Sequence, residues 1–235
     1  ALGRRLILER PTRKRRATEG VDENTLSDLI EDTDLLRKIF PGYERREEQV
    51  RMMKQVHGAL NSNKNLIIEG GTGIGKSLAY LLPAAMFAVK NQARVVISTN
   101  TINLQEQLIL KDIPLVAQLI GEQIEGEALD YAYLKGRGNY LCMRRWSHQQ
   151  GSELLTQSDS RFLSKILMWL QTTGTGDRSE MTVPPQEERL WDRLSARGAQ
   201  GCEMSEGICF LRSARERARG AHILVVNHAL LLADA

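Results

Sequence analysis

A glycine-rich segment that ends in lysine and serine carries the clearest chemistry in this sequence. It reads Gly-Gly-Thr-Gly-Ile-Gly-Lys-Ser at residues 70–77 and matches the phosphate-binding pattern G-x-x-x-x-G-K-[ST] in full. Its glycines let the backbone turn tightly and direct N–H groups at phosphate oxygens. Lys76 supplies a positive charge for the β and γ phosphates, and Ser77 supplies a hydroxyl for Mg²⁺. The predicted nucleoside triphosphate site therefore contains Gly70, Gly71, Thr72, Gly73, Ile74, Gly75, Lys76 and Ser77.

The segments around this loop have the pattern of a parallel α/β sheet. Residues 66–68 predict a short buried strand before the loop, and residues 77–89 predict a helix after it. Residues 94–98 predict a second strand, and residues 101–110 a second helix that is closed by Pro114. Strands that alternate with helices in this way start a parallel sheet with crossover helices.

A further helix is predicted upstream of the loop, after Pro41 and Gly42. Arg46 and Gln49 lie three residues apart and therefore share one face of that helix. The amide of Gln49 suits an adenine edge, and the ring of Tyr43 suits stacking on the base. The alternative is that Arg46 and Gln49 are ordinary surface residues.

Composition limits the classes of function that remain. The chain has 235 residues, of which 42% are hydrophobic and 26% charged, which is typical of a globular protein. The net charge is only +3, so a nucleic-acid partner has to be recognised by local patches. No apolar run is long enough to span a membrane, and three cysteines favour a reducing, cytoplasmic setting. Because residue 1 is Ala, we expect the native start to lie upstream.

The chain divides into four predicted parts. Residues 1–35 have a basic and then an acidic run, which favours a solvated linker or tail over a phosphate-binding arm. Residues 36–120 contain the first part of the sheet domain. Residues 121–220 lack strand–helix alternation and are predicted to be an insertion with one amphipathic helix. Residues 221–235 return to the sheet, with a strand at 223–226.

Two further segments have polar groups that suit nucleic acid. Residues 98–101 close a predicted strand and open a helix, an arrangement that suits a backbone phosphate; the alternative is an ordinary helix cap. Residues 133–146 contain a basic patch with interleaved aromatic residues, typical of single-strand binding. The alternative is that these aromatic rings are packed. The basic residues are Lys135, Arg137, Arg144 and Arg145, and the aromatic ones are Tyr133, Tyr140 and Trp146.

Several of these segments together resemble the DinG/XPD-type DNA helicases of superfamily 2, and the bacterial DinG branch most closely. The resemblance covers about residues 40–235 and is carried, in the order of that family, by residues 43–49, 69–83, 96–108, 134–142, 209–215 and 225–231. It implies a RecA-like parallel sheet with an inserted, mostly helical region that contains cysteines. It also implies ATP and Mg²⁺ as cofactors, and DNA unwinding with 5′-to-3′ polarity. The implied partner is DNA that is single-stranded or has a single-stranded tail, bound by a monomer without a membrane.

The resemblance also assigns roles to individual residues. It implies that Tyr43, Arg46 and Gln49 bind the base of ATP. The residues that it implies for single-strand contact are Thr99, Asn100, Thr101, Gln105, Lys135 and Arg137.

In this family the insertion holds a [4Fe–4S] cluster on four cysteines, and thiolates are the usual ligands of such clusters. Cys142 corresponds to the first position, Cys209 to the last and Cys202 to the one before it, but residues 194–201 supply no fourth cysteine. His148 is a conceivable substitute. Three interpretations stay open: a cluster with one other ligand, a lost cluster with an insertion held by packing, or cysteines that are plain core residues.

The acidic Asp-Glu-Ala-His box and the second motor domain of the family are not found in these 235 residues. The resemblance therefore implies the N-terminal part of a first motor domain, and we expect it to bind ATP but to hydrolyse it poorly. Two alternatives remain: another P-loop enzyme, such as a small-molecule kinase, or a nucleic-acid-binding P-loop module without turnover.

Overall fold

A computed structural model describes residues 18–123, 127–150, 156–198 and 207–234. Its sheet has three parallel strands in the order β1-β3-β2, so the last strand along the chain is central. The strands are β1 (Val95–Thr99), β2 (Tyr131–Tyr133) and β3 (Ile223–Asn227). Val95 and Tyr131 both lie opposite Ile223, one on each side of it. The first four residues of β3 are buried, as expected of a central parallel strand with helices on its faces.

The α-helices are numbered in chain order. They are α1 (Glu23–Glu31), α2 (Thr33–Ile39), α3 (Glu47–Ser62), α4 (Lys76–Asn91), α5 (Ile102–Gln107), α6 (Ile113–Gln123), α7 (Met143–Gln150), α8 (Gln157–Trp169), α9 (Glu188–Leu194), α10 (Phe210–Gly220) and α11 (His228–Asp234). A π-helix at Leu108–Asp112 joins α5 to α6, and short 3₁₀ helices lie at Arg137–Asn139, Arg178–Glu180 and Pro185–Glu187.

The predicted fold class, an α/β protein with a parallel sheet, is confirmed. The strands predicted at residues 94–98 and 223–226 correspond to β1 and β3. Strand β2 falls in the range 121–220 that was predicted to be an insertion, and it pairs with β3 in the sheet. Its three residues are too few to give an alternating pattern that sequence analysis can detect.

The main core lies around α4, which is buried on most of its circumference. Leu81, Leu82 and Met86 of α4 are almost fully buried, and α3 and α6 pack against this helix. Because α4 begins at Lys76, the same packing that buries the helix also fixes the end of the glycine-rich loop.

The N-terminal region differs from the predicted linker. Residues 22–35 contain α1 and the start of α2, and Leu26, Leu29 and Ile30 are buried in the main core. These three residues recur at helical spacing, but they stand among acidic residues that made the segment resemble a solvated tail. Residues 1–17 lie outside the described residues.

Two predicted boundaries near the loop are also corrected. Residues 66–68 pair with no strand of the described sheet, and Ile67 is 99% exposed. The predicted short buried strand is therefore wrong in this structure, because none of the three strands lies beside it. Pro114 does not close a helix but lies in the first turn of α6, where proline's missing N–H is tolerated.

The middle region, residues 137–150, 156–198 and 207–220, has a second core of its own. Trp191 and Tyr140 are fully buried there, and Phe162 and Ile166 of α8 pack against them. The predicted amphipathic helix is thus confirmed as α8. Among the described residues, no helix has both the length and the apolar character that a membrane crossing requires.

Candidate nucleotide site and nucleic-acid edge

The glycine-rich loop turns into α4 through two glycines with left-handed backbone. Gly73 has φ +82° and Gly75 has φ +78°, a region that side chains with a Cβ rarely adopt. Lys76 folds back over the loop, and its ammonium donates to the carbonyls of Gly70 (2.9 Å) and Gly71 (2.8 Å). Lys76 is exposed, so the bonds to these carbonyls can be exchanged for bonds to phosphate oxygens without disturbing the core.

The first turn of α3 and the residue before it hold the loop from the other side. The Gln49 side chain donates to the Gly75 carbonyl at 2.9 Å, and Arg46 donates to the Gly73 carbonyl. A Cβ on Gly75 would overlap the Gln49 amide, so a larger residue there would displace Gln49 as well as strain the backbone. Two residues predicted to read the base thus also fix the shape of the loop.

A cleft of about 260 Å³ opens between these elements. Its lining includes Tyr43 and Gln49 on the side before the loop, and Ser77 and Asp112 on the other side. The Tyr43 hydroxyl and the Gln49 Oε1 are buried and have no hydrogen-bond partner among the described residues. Burial raises the pKa of Tyr43 above its usual 10.0, so its hydroxyl keeps its proton at neutral pH. Two residues that line the cleft thus have one unpaired donor and one unpaired acceptor between them.

The remaining loop residues differ in their exposure. Thr72 is exposed at the tip, and Ile74 is half-buried with its Cδ1 against Gly70. A Cβ at Gly70 would lie 2.8 Å from that atom, so a larger residue there would displace the Ile74 side chain. Ser77 is half-buried, and its side chain is hydrogen-bonded to Tyr80, whose pKa burial raises.

The carboxyl edge is the place where β1, β2 and β3 end, with residues 98–101, 134–137 and 227–228. Asn100 and Thr101 are exposed there, and the Thr101 Oγ1 accepts the Leu104 N–H at 3.2 Å as the N-cap of α5. Thr99 is buried and donates to the Thr101 carbonyl. Two of the three predicted contact residues in this segment therefore face solvent.

Gln105 is buried, which separates it from a contact with nucleic acid. Its Nε2 donates to the carbonyls of Leu134 (3.2 Å), directly after β2, and of Val225 (3.0 Å), in the middle of β3. Gln105 thus holds α5 against the sheet instead of facing a ligand.

Lys135 is also buried, with a side chain only 2% exposed. Its ammonium lies 2.9 Å from both Glu106 and Asp177 and 2.8 Å from the Ser179 hydroxyl. The predicted contact of Lys135 with DNA does not agree with this burial, because the ammonium is already surrounded by these three protein groups. By contrast, Arg137 is exposed at the same edge.

The aromatic residues of the predicted basic patch are packed. Tyr140 is fully buried, Trp146 is 5% exposed, and both belong to the core of the middle region. Burial raises the pKa of Tyr140 to about 12, and its oxygen accepts the Lys135 N–H. Arg145 donates to the Ser195 carbonyl at 3.0 Å. Arg144, next to it on α7, is exposed. The packing alternative is therefore confirmed for Tyr140 and Trp146.

Two of the three predicted cluster cysteines are described. Cys142 and Cys209 are half-buried free thiols, and Cys202 lies outside the described residues. In the described ranges, no three His, Cys, Asp or Glu side chains come close enough to hold a metal ion. His148 is exposed on α7.

The structure also brings together polar residues that sequence reasoning missed. Ser98 Oγ and His228 Nδ1 lie 2.6 Å apart at the carboxyl edge, and Asp177 and Glu106 lie beside Lys135. Their partners are far apart in the chain, by 130 residues in the first case. No spacing rule connects such residues, and only Ser98 and His228 had a signal in the sequence, because they lie at the end of one predicted strand and just after another.

A loop of this shape at the start of a buried helix, with a cleft beside it, defines a P-loop nucleotide-binding domain. Residues 46–125 match the DEAD/DEAH box helicase family. That match begins at Arg46, contains the whole glycine-rich loop and ends just after α6.

Curated relatives extend the similarity over most of the chain. It is 34% identical over 206 residues to the 3′-5′ exonuclease DinG of Bacillus subtilis, covering 85% of this chain and 21% of that protein. It is 34% identical over 217 residues to the ATP-dependent DNA helicase YoaA of Haemophilus influenzae, covering 90% and 32%. A third relative, the ATP-dependent helicase DinG of Mycobacterium tuberculosis, is 34% identical over 218 residues, covering 83% and 32%.

These similarities support the predicted resemblance of the chain to the N-terminal region of DinG-type helicases. The chain spans about a fifth to a third of the length of the curated relatives it matches.

Proposed function

We propose that this chain is the ATP-binding and single-strand-binding part of an ATP-dependent DNA helicase. The observation that carries the proposal is the cleft beside the loop, which is lined by Tyr43 and Gln49, two residues that each have one buried polar atom without a partner among the described residues. Buried polar atoms without partners are costly, so a ligand that supplies the missing bonds is strongly favoured.

Adenine has the complementary groups for this cleft. Gln49 already uses its N–H to hold Gly75, so its Oε1 is left as an acceptor for the exocyclic amine of adenine. The Tyr43 hydroxyl, which stays protonated, is a donor for a ring nitrogen. Guanine presents a carbonyl where adenine presents an amine, and therefore pairs poorly with an acceptor.

The phosphates extend from this cleft into the loop. Lys76 exchanges the carbonyls of Gly70 and Gly71 for the β and γ phosphates, and the amides of the loop and of the first turn of α4 surround the anion. The Ser77 hydroxyl, next to Lys76, fits Mg²⁺, an ion that takes oxygen ligands and bridges phosphate oxygens.

Single-stranded DNA is proposed to cross the carboxyl edge. Asn100, Thr101 and Arg137 are exposed there, and they suit phosphates through an amide, a hydroxyl and a guanidinium. Thr99, Gln105 and Lys135 support the edge from within. In the whole protein we propose that ATP hydrolysis drives 5′-to-3′ unwinding by a monomer, starting from a single-stranded region.

The iron–sulfur cluster fits the donor set of this chain poorly. Clusters of this type take four cysteine thiolates, and the sequence has three cysteines. No step of the proposed mechanism passes through a cluster, and a site on Cys142, Cys202 and Cys209 with a fourth ligand stays a prediction. Iron content and visible absorbance of anaerobically purified protein test it directly. The free thiols of Cys142 and Cys209 suit a reducing, cytoplasmic setting.

Equilibrium binding of fluorescent ATP and GTP analogues tests the nucleotide site. We expect the chain to bind the ATP analogue more tightly, and Gln49→Leu to weaken it roughly 5- to 10-fold by the loss of one hydrogen bond. Gln55→Leu, an exposed change on the same helix, is the control and should leave both affinities unchanged. Equal affinities for the two nucleotides in the unmodified chain would overturn the adenine assignment.

Single-strand binding is tested separately by fluorescence anisotropy with a labelled oligothymidine at several salt concentrations. We expect Arg137→Ala to weaken binding and to lower the salt slope by about one. A longer native chain then distinguishes the alternatives: a helicase has ATPase activity that DNA stimulates, a kinase ignores DNA, and a binding module leaves ATP intact.

A further inference from the structure

One buried ammonium joins three parts of the chain that are distant in sequence. Lys135 follows β2, Glu106 belongs to α5, and Asp177 with Ser179 belongs to the middle region. We call these four residues the Lys135 cluster. The three contacts of the ammonium are 2.8 to 2.9 Å long, and the ring of Tyr133 lies 5.3 Å from it.

The two carboxylates of the cluster have different surroundings. The Asp177 side chain is fully buried, and its second oxygen accepts the Ser179 N–H at 2.9 Å. The Glu106 side chain is 35% exposed. Asp177 alone is enough to neutralise Lys135, so Glu106 is an additional partner that keeps contact with water. A buried ion pair adds little net stability but specifies one arrangement of the groups that form it.

Helix α5 has few other attachments. It has six residues and continues directly into a π-helix, a distortion that is frequent at functional sites. Gln105 holds it to Leu134, directly after β2, and to Val225 of β3, and Glu106 holds it through Lys135 to the middle region. Thr101, at the proposed DNA contact, is the N-cap of this same short helix.

We propose that Glu106 and Lys135 are positioning residues through which the middle region sets the orientation of α5 at the carboxyl edge. This inference rests on the proposed binding of single-stranded DNA at that edge. Loss of the contact between Glu106 and Lys135 frees α5 from the middle region, displaces Asn100 and Thr101 and weakens DNA binding. The nucleotide cleft is built from α3, the loop and α4, so its affinity stays the same.

Glu106→Ala in the 235-residue chain tests the inference, and Glu122→Ala is its matched control. Glu122 is 32% exposed and lies 2.9 Å from Lys38, so the control removes the same charge from an ion pair of the same length whose lysine is 66% exposed instead of buried. Loss of a negative charge by itself raises the affinity for DNA, because DNA is a polyanion. We expect oligothymidine affinity to fall about fivefold or more in Glu106→Ala and to stay equal or rise slightly in Glu122→Ala. Affinity for the ATP analogue should not change in either variant.

Hydrogen exchange without DNA provides an independent measurement. We expect the amides of residues 102–112 to exchange faster in Glu106→Ala and at the original rate in Glu122→Ala. Unchanged DNA affinity together with unchanged exchange would overturn the positioning role. If the unsubstituted chain bound no DNA but Glu106→Ala still exchanged faster, the proposed DNA binding would be overturned. The role of Glu106 in holding α5 in place would then still stand.

Discussion

The glycine-rich loop and the middle region are stabilised in opposite ways. Side chains hold the loop through its carbonyls, with Lys76, Arg46 and Gln49 as donors, and most of its residues are exposed. The middle region is organised around Trp191 and Tyr140, which are fully buried, and Trp191 also donates to the Gly138 carbonyl. The loop has a sequence motif and little packing, and the middle region has packing and no motif.

This difference shows why the sequence reveals the phosphate site more readily than it reveals the second core. A phosphate site needs backbone amides and charges that stay available for a ligand, so its residue types and spacing are restricted. A core needs apolar volume that fills space, and many sequences satisfy that requirement. We therefore expect substitutions in the loop to change binding and substitutions in the middle region to change stability.

The largest effect is expected from Trp191→Ala. Removing this buried indole leaves a cavity and should lower the free energy of unfolding by about 3–5 kcal/mol. Urea denaturation followed by circular dichroism measures the change. Leu167→Ala, at a position on α8 that is 48% exposed, is the control and should cost far less. If Trp191→Ala removed nucleotide binding while the main core stayed folded, the two regions would not be independent.

Lys76→Met should affect binding alone. Charged hydrogen bonds to phosphate are worth about 1.5–3 kcal/mol, so affinity for the ATP analogue should fall roughly 10- to 100-fold. The melting temperature should stay the same, because Lys76 contacts only the loop carbonyls. Lys64→Met, at an exposed position after α3, serves as the control. A large loss of stability in Lys76→Met would contradict the division between the regions.

A pair of glycine substitutions separates backbone angle from space within the loop. Gly73→Ala and Gly75→Ala both place a Cβ at positive φ, which costs about 1–2 kcal/mol. Only at Gly75 does the new Cβ overlap the Gln49 amide, so this variant should be the less stable and should lose more nucleotide affinity. Thermal denaturation and nucleotide titration measure both. Equal effects would mean that Gln49 moves away freely.

The smallest effect is expected at the start of α8 in the middle region. Thr156 and Asp159 cap this helix reciprocally, so Thr156→Ala should cost about 1 kcal/mol. The hydrogen bonds from Thr156 hold the pKa of Asp159 below its usual 3.8. A lowered pKa means that the stabilisation is present above pH 3.8 and is lost as the pH falls through the folded-state pKa. We expect the free energy of unfolding to fall less below that pH in Thr156→Ala than in the unsubstituted chain. Urea denaturation at a series of acidic pH values measures the difference.

Much of the nucleotide site could be predicted because it is local in sequence. The loop, α4 and the helix that carries Gln49 all follow from motifs and from helical spacing. The segment at residues 66–68 is the exception: its apolar residues suggested a strand, but a strand exists only where another pairs with it. The helix α1 was missed for a related reason, since burial of Leu26 depends on neighbours that the local acidic sequence does not reveal.

The sequence by itself determined the phosphate loop, because φ > 0, close backbone approach and a mobile charge can be met by very few residue types. Tertiary structure alone decided which polar residues of the carboxyl edge face a ligand. Lys135 and Arg137 stand two residues apart and look alike in the sequence, but one is enclosed by Asp177, Glu106 and Ser179 and the other is exposed. Burial depends on which distant segments fold over a side chain, and neither its type nor its spacing contains that information.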